Sequence, residues 1–374
     1  MITPYYASHG GGVEIVAGKL ANWLVKKKWQ LTWIASSNLD PLDERKSCRI
    51  SPVKANNWVE EKSGVPFPIW GPSALCQLWK ECKAADVIIV HESLYIPSMY
   101  ATLIARMCKR PILLVQHISF VPYRKFWLRA ILGVGNLTWT RLIHRLATKK
   151  VYISTRVMHY FESTGSRNNF SLIPNGVDAD IFSFNPHYKK NFRPRILFVG
   201  RFVEKKGLDI LQKLAQYRKD LDFFLAGDGP LRPENWAQEN VHILGKIDPL
   251  NLAKEYRVAN ILLLPSHGEG FPLVVQEAMA TGLAPVISDE TASSLPDIED
   301  HVYNAPVDRS NPRLIEQWSA LIDRALAAEQ DGLRSISRAK FAKKHWSWDH
   351  CAEKYDHLLI SILDENCKTL INKE

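Results

Sequence analysis

The stretch Asn260-Ile261-Leu262-Leu263-Leu264-Pro265-Ser266-His267-Gly268-Glu269-Gly270-Phe271-Pro272-Leu273-Val274-Val275-Gln276-Glu277-Ala278-Met279-Ala280-Thr281-Gly282 decides the fold. Ile261 to Leu264 is a short apolar run, as expected of a strand buried on both faces of a parallel sheet. Glycines then turn the chain. A helix is expected to start with Pro272 at its first position, where a missing N–H costs nothing. It should run about ten residues and stop at Gly282. A strand, a glycine turn and a helix N-terminus make an anion site, because unpaired N–H groups and roughly half a positive charge point outward.

Two carboxylates flank that site, Glu269 just before the helix and Glu277 inside it. A carboxylate beside a phosphate repels it, so these acids are expected to hold hydroxyls. Phosphate together with a polyol points to a nucleotide sugar. Helical spacing puts Glu277 on one face with Leu273 and Thr281. That face looks either at a ligand or at water.

The remaining chain has the pattern such a strand needs. Val13, Val16, Ala17, Leu20 and Leu24 fall at helical spacing, and Lys26-Lys27-Lys28 closes that helix at its negative end. Leu31–Ala35, Asp86–Val90, Pro111–Val115 and Val151–Ser154 are strand candidates in the first half. Arg195–Gly200, Asp222–Gly227, Val241–Gly245 and Asn260–Leu264 follow in the second. Strands alternating with helices imply an α/β chain with two doubly wound parallel sheets. Trp348–Leu363 is expected to be a helix with Cys351, Tyr355, Leu358, Leu359 and Ile362 on one face. Only Met1 to Tyr5 is available for a strand ahead of Gly10-Gly11-Gly12, so either that strand is clipped or the true start is expected upstream.

These segments closely resemble the family 4 retaining glycosyltransferases. The resemblance rests on Glu269-x7-Glu277 set within "PSHGEGFPLVVQEAMATGLAPVIS", on "FVGRFVEKKGLDIL" (198–211), on "LAGDGPLR" (225–232), on "VHILGKI" (241–247) and on "SLIPNGVDADIF" (171–182). It implies the GT-B fold: two Rossmann-like domains facing a cleft, with the terminal helix crossing back to the first. The implied domains are 1–173 with about 347–374 on the acceptor side, a linker at 174–194, and a donor-binding domain at 195–346. The implied roles are residue by residue. Arg201 and Lys206 hold the donor diphosphate. The Gly11–Gly12 turn abuts it from the other domain. Glu277 takes the ribose hydroxyls and Glu269 those of the transferred sugar. Gly270, Phe271 and Leu273 line the donor site, and His117 stands near the reacting centre, with His91 and Glu92 toward the acceptor. Lys205 is expected to point elsewhere, and Asp228 to be a turn former.

The expected reaction moves a hexose from a UDP- or GDP-sugar to a hydroxyl of a cell-surface glycan or lipid-linked acceptor. No cofactor is expected. Two fixed cations and a helix tip supply about +2.5 in partial-charge terms, enough to neutralise a diphosphate without a metal. Asp297, Glu299 and Asp300 look like a solvated acidic face. A nucleotide-sugar epimerase of the same shape, or a silent homologue serving as a partner subunit, remains an alternative. The chain departs from the family at 289–297, where a glycine-rich loop is usual, and at Pro272, which removes one N–H.

A chain of 374 residues exceeds one ordinary core. None of its six cysteines forms a C-x-x-C pair, so a reducing compartment fits. No apolar run reaches the about 18 residues of a spanning helix, and no signal peptide is evident. The net charge of +9 comes without a nucleic-acid-binding pattern. Residues 120–150 interleave Phe126, Trp127, Trp139 and Leu142 with Arg124, Lys125, Arg129, Arg141, Arg145, Lys149 and Lys150, with Gly133–Gly135 expected to break the helix. We expect this stretch to meet an anionic membrane face, each cation adding ~1 kcal/mol; a core helix with a basic outer face explains the same residues. The expected location is the cytoplasm, peripheral on the inner face of the membrane.

Overall fold

The computed structural model describes residues 1–36, 48–58, 68–119, 133–162, 169–186, 193–294, 296–330 and 332–371. The chain divides into two compact units, Met1–Gly176 with Trp348–Glu374, and Val177–Ser347.

The first unit runs β1 (Ile2–Tyr5), α1 (Gly12–Lys26), β2 (Thr32–Ser36), β3 (Arg49–Val53), a two-stranded ribbon of β4 (Ala55–Asn56) and β5 (Ile69–Trp70), α2 (Pro72–Ala84), β6 (Ile88–His91), α3 (Ile96–Met107), β7 (Ile112–Gln116), α4 (Arg141–Leu146), β8 (Lys149–Tyr152), α5 (Thr155–Glu162) and β9 (Phe170–Leu172). Its main sheet has the order β3-β2-β1-β6-β7-β8-β9. Neighbouring strands are parallel throughout. All five residues of β7 are buried, as continuous apolar strands between two helix layers must be. The short β1 sits at the centre, paired with both β2 and β6, and the Met1 amino group donates to Thr32 O at 2.8 Å.

The second unit runs β10 (Arg195–Val199), α6 (Leu208–Tyr217), β11 (Asp222–Ala226), β12 (Val241–Gly245), α7 (Pro249–Val258), β13 (Ile261–Leu264), α8 (Leu273–Ala280), β14 (Ala284–Ser288), α9 (Asp289–Ala292), β15 (Tyr303–Ala305), α10 (Leu314–Ala328) and α11 (Leu333–Trp346). The parallel sheet order is β12-β11-β10-β13-β14-β15. Ile261, Leu262, Leu263 and Leu264 are wholly buried. Each such side chain contributes roughly 1.5–3 kcal/mol. Residues 177–186, expected as linker, fold onto this unit: Val177 N donates to Trp346 O at 2.6 Å, and the Arg257 guanidinium holds Ile181 O at 2.8 Å and Ser183 O at 3.0 Å. Residues 187–192 lie outside the described residues.

The last helix, α12 (Trp348–Ile371), is longer than expected and belongs to the first unit. Cys351, Ala352, Tyr355, Leu359 and Ile362 form its buried stripe, at the spacing of one helix face. It lies against α1, where Trp23 Nε1 donates to Asp349 Oδ1 at 3.4 Å and Trp29 Nε1 to Asp356 Oδ1 at 2.7 Å.

The basic stretch at 120–150 departs from expectation. Residues 120–132, with Arg124, Lys125 and Arg129, lie outside the described residues. The described chain is helical from 133 to 146, so Gly135 lies inside a helix, with a π turn at Asn136–Thr140. Lys150 is 2% exposed, its Nζ 2.9 Å from Glu162 Oε1, which also accepts from Tyr152 Oη at 2.7 Å. Lys149 pairs with Glu365 of α12. Both lysines are thus engaged within the unit because they begin strand β8, where the sequence suggested a surface. Val134, Trp139 and Leu142 do face solvent, beside exposed Arg141 and Arg145. Among the described residues no helix is long and apolar enough to cross a membrane.

Candidate functional site

In the second unit the strand order reverses between β10 and β13. Ligands of open parallel sheets bind outside the carboxyl ends of the strands at such a switch point, because the two flanking loops diverge to opposite faces. The loop after β10 carries Arg201, Lys205 and Lys206; the loop after β13 carries Glu269. Gly207 keeps the two loops together. Its φ is +74°, and a Cβ there would stand 2.1 Å from Pro265 O, inside the backbone of the second loop. Gly207→Ala should therefore cost about 2 kcal/mol or more, read as a fall in the unfolding midpoint in denaturant. An unchanged midpoint would show that this junction is loose.

Lys206 Nζ lies 2.9 Å from Glu269 Oε1, and both side chains are largely buried. Burial alone drives the Glu269 carboxyl toward protonation. The cations of Lys206 and Lys205 overturn that and hold it below the usual carboxylate range. An ionised Glu269 only accepts hydrogen bonds. Burial destabilises the Lys205 ammonium, the charge of Glu269 supports it, and Lys206 and Arg201 oppose it. A main-chain bond, His267 N to Lys205 O at 2.9 Å, ties the loop after β13 to this turn. Arg201 is exposed at the same turn. The ion pair of Lys206 with Glu269 thus stands in this unit with Lys205 and Arg201 on the same loop as Lys206.

Helix α8 starts one residue later and ends earlier than expected. Pro272, with φ −75° and ψ 108°, is its N-cap, and the eight-residue helix closes at Thr281 with Gly282 at φ +83°. The proline ring carries no polar atom, so the N-cap makes no side-chain hydrogen bond to the first turn. Phe271 is buried edge-on against Trp346, 5.9 Å between ring centres, so its ring is an anchor for the turn. Gly270 and Leu273 are half-buried beside it. At 289–297, where the sequence lacks glycines, the chain forms the helical turn α9 capped by Ser288 Oγ. That turn points Glu290 back to the glycine loop, where its Oε1 accepts from Gly268 N at 3.1 Å. The sequence gives no sign of this contact.

Glu277 is half-buried on α8, and its Oε2 accepts from Tyr256 Oη of α7 at 2.9 Å. Burial pushes its pKa up to about 7, against the pull of the tyrosine hydrogen bond. Tyr256 escaped the sequence reading; an apolar-spaced tyrosine on an amphipathic helix carries no mark of a polar partner. Asp228 is the turn former expected, its Oδ1 accepting from Gly229 N at 2.7 Å. Asp297, Glu299 and Asp300 are exposed. Among the described residues no three His, Cys, Asp or Glu side chains gather to hold a metal ion.

The first unit has its own switch point, between β1 and β6. Gly11 is the N-cap of α1 and Gly12 its first residue; a Cβ on Gly12 would meet nothing within 4 Å, so the turn is open there. At the ends of β6 and β7, His91 Nδ1 and His117 Nε2 are 3.0 Å apart. Both are buried, and burial holds both imidazoles neutral, His117 near 3. Glu92 lies beside them with φ 66°, a left-handed conformation uncommon outside glycine. Its Oε2 accepts from His117 N at 3.2 Å and Ile118 N at 3.0 Å, and its Oε1 accepts from Gln116 Nε2. Burial raises it to about 8 despite these donors. His117 is thus part of a buried polar network that the strand-end position alone did not reveal.

Comparisons with known proteins agree with this architecture. One family model, described as Glycosyltransferase Family 4, matches residues 10–181, and another, described as Glycosyl transferases group 1, matches residues 193–324. A D-inositol 3-phosphate glycosyltransferase of Segniliparus rotundus is 30% identical over 207 residues, 49% of this chain and 44% of that one, so the chain spans about half the length of this relative. The phosphatidyl-myo-inositol mannosyltransferase of Mycobacterium tuberculosis is 28% identical over 304 residues, 76% of each chain. Among solved structures, Anabaena HepE in complex with UDP superposes with a TM-score of 0.74 at 15% identity, over 96% of this chain and 99% of that one. The two matched segments, each built on a parallel Rossmann-like sheet, make this an α/β chain of the GT-B fold with a Glycosyltransferase Family 4 segment followed by a Glycosyl transferases group 1 segment.

Proposed function

We propose that this chain is a metal-independent retaining glycosyltransferase that moves a hexose from a UDP- or GDP-sugar to a hydroxyl of a glycan or lipid-linked acceptor. The observation that carries the reading is the Lys206–Glu269 pair at the switch point of the second sheet. Lys206 and Arg201 take the diphosphate together with the uncapped first turn of α8, and their charge serves where a metal otherwise would. Glu269, kept ionised, accepts hydroxyls of the hexose. Glu277 accepts those of the ribose. The bond from the anomeric carbon to the diphosphate oxygen breaks, a bond to the acceptor oxygen forms on the same face, and the acceptor proton passes to the departing diphosphate oxygen. Acceptor recognition falls to the first unit, around His91 and Glu92.

The test is turnover of UDP- and GDP-hexoses with candidate acceptors, with and without EDTA. Transfer with retained anomeric configuration that survives EDTA is expected. Donor epimerised without any acceptor, or no turnover with either class, contradicts the proposal.

If Glu277 must be ionised to hold the ribose, affinity for an intact nucleotide sugar should strengthen several-fold as pH rises from about 6 to about 8. A nucleotide sugar is the right probe because its diester-like phosphates do not titrate there. Affinity that is flat or weakens over this range removes Glu277 from the site. The exposed Val134, Trp139 and Leu142 beside Arg141 and Arg145 support contact with an anionic bilayer. Arg141→Glu with Arg145→Glu should reduce flotation on phosphatidylglycerol vesicles; unchanged flotation would assign these residues no lipid role.

A further inference from the structure

Tyr256 does more than fill the core of the second unit. It is 1% exposed, yet its hydroxyl is aimed at Glu277 Oε2 across the α7–α8 contact, at 2.9 Å. Its ring is fixed from the other side by Phe182, edge-on at 5.9 Å between centres. Arg257, the next residue, holds the main chain on either side of Phe182 through Ile181 O and Ser183 O. The phenol is therefore clamped in direction as well as in depth.

We infer that Tyr256 is the positioning residue of the ribose-reading carboxylate: it occupies one oxygen of Glu277 and thereby presents the other to the sugar hydroxyls of the nucleotide. This rests on the reading of Glu277 given above. A carboxylate has two oxygens and about four acceptor sites. A side chain free to rotate spreads them; one oxygen tethered by a fixed donor sets the plane of the group. The donor is dependable, because burial and the neighbouring carboxylate hold the phenol well above its ordinary pKa of 10 and the proton stays on tyrosine. The same hydrogen bond opposes the burial that would otherwise neutralise Glu277 further. One buried hydroxyl thus supplies both orientation and charge.

The test compares UDP and GDP with their 2′,3′-dideoxy counterparts by calorimetric titration at pH 8, on the wild-type chain and on Tyr256→Phe. Phenylalanine keeps the ring against Phe182 and drops only the hydroxyl. In the wild type, the ribonucleotide is expected to bind about tenfold or more tighter than its dideoxy counterpart, the worth of hydrogen bonds to a charged group. In Tyr256→Phe the ribonucleotide should weaken by about tenfold while the dideoxy compound is unaffected, so that discrimination collapses. A variant that weakens both alike, or that discriminates as the wild type does, overturns the inference and leaves Glu277 in place. A wild type that binds both forms equally overturns the ribose role of Glu277 and this inference with it. A wild type that binds neither nucleotide overturns the donor site itself.

Discussion

Lys206→Ala is expected to lower kcat/KM for sugar transfer by about a thousandfold, or about 4 kcal/mol of transition-state stabilisation. The magnitude follows from the place of the ammonium. It is buried, fixed by Glu269 at 2.9 Å, and stands at the sheet's switch point, where the proposed reaction develops negative charge on its leaving diphosphate. Charge in such a site acts with little screening. The substitution also leaves Glu269 with Lys205 as its remaining lysine neighbour, so some stability goes with activity. Lys206→Ala combined with Glu269→Gln separates the two effects, since it removes the stranded carboxylate. Melting of the double variant should return toward wild type while transfer stays lost. Recovery of transfer along with stability would mean that Lys206 serves the fold alone.

The second large effect lies far along the chain from the charge cluster. Glu329→Ala should destabilise the second unit by about 3–5 kcal/mol, lowering its melting temperature by roughly 10 °C. Arg338 and Glu329 form a pair whose side chains are 1% and 3% exposed. The guanidinium donates to Glu329 Oε1 at 2.6 Å and Oε2 at 3.1 Å, to Gly282 O at 2.9 Å and to His301 O at 2.8 Å. Tyr303 Oη and Ser335 Oγ donate to the same carboxylate. Removing the acid strands a cation in the core without a counter-charge, which costs more than the pair contributes. The consequence reaches the site, because Gly282 ends α8, the helix that carries Glu277. Calorimetry on the full chain reads the effect. A loss below about 1 kcal/mol, the range of an exposed pair, would mean that water reaches this pair.

Particular residues show what a single sequence can and cannot yield. Ile261–Leu264 announced a buried parallel strand because a short apolar run bounded by Asn260 and Pro265 suits a strand covered on both faces, and the strand has those bounds. The glycine turn and the helix after it were equally plain. Their detail was not. Pro272 suits both the N-cap and the first helical position, and the difference turns on one ψ angle that the sequence does not carry. Lys205 and Lys206 are chemically identical neighbours. Only the folded geometry shows that Lys206 Nζ comes within 2.9 Å of Glu269 Oε1. Phe271 sits inside the motif yet serves Trp346, because motif position says nothing of which way a ring turns. Lys150 looked solvated in a basic stretch, and its burial depends on Glu162 and Tyr152, partners set by the strand and helix that follow. Contacts between elements, such as Tyr256 with Glu277 or Glu290 with Gly268, left no periodic trace at all.

The most direct measurement is a crystal structure of the chain with UDP or GDP bound. The expected result places diphosphate oxygens about 3 Å from Lys206 Nζ, facing the first turn of α8, with the ribose hydroxyls on Glu277. Nucleotide found away from the loops after β10 and β13, with Lys206 still closed on Glu269, would contradict it.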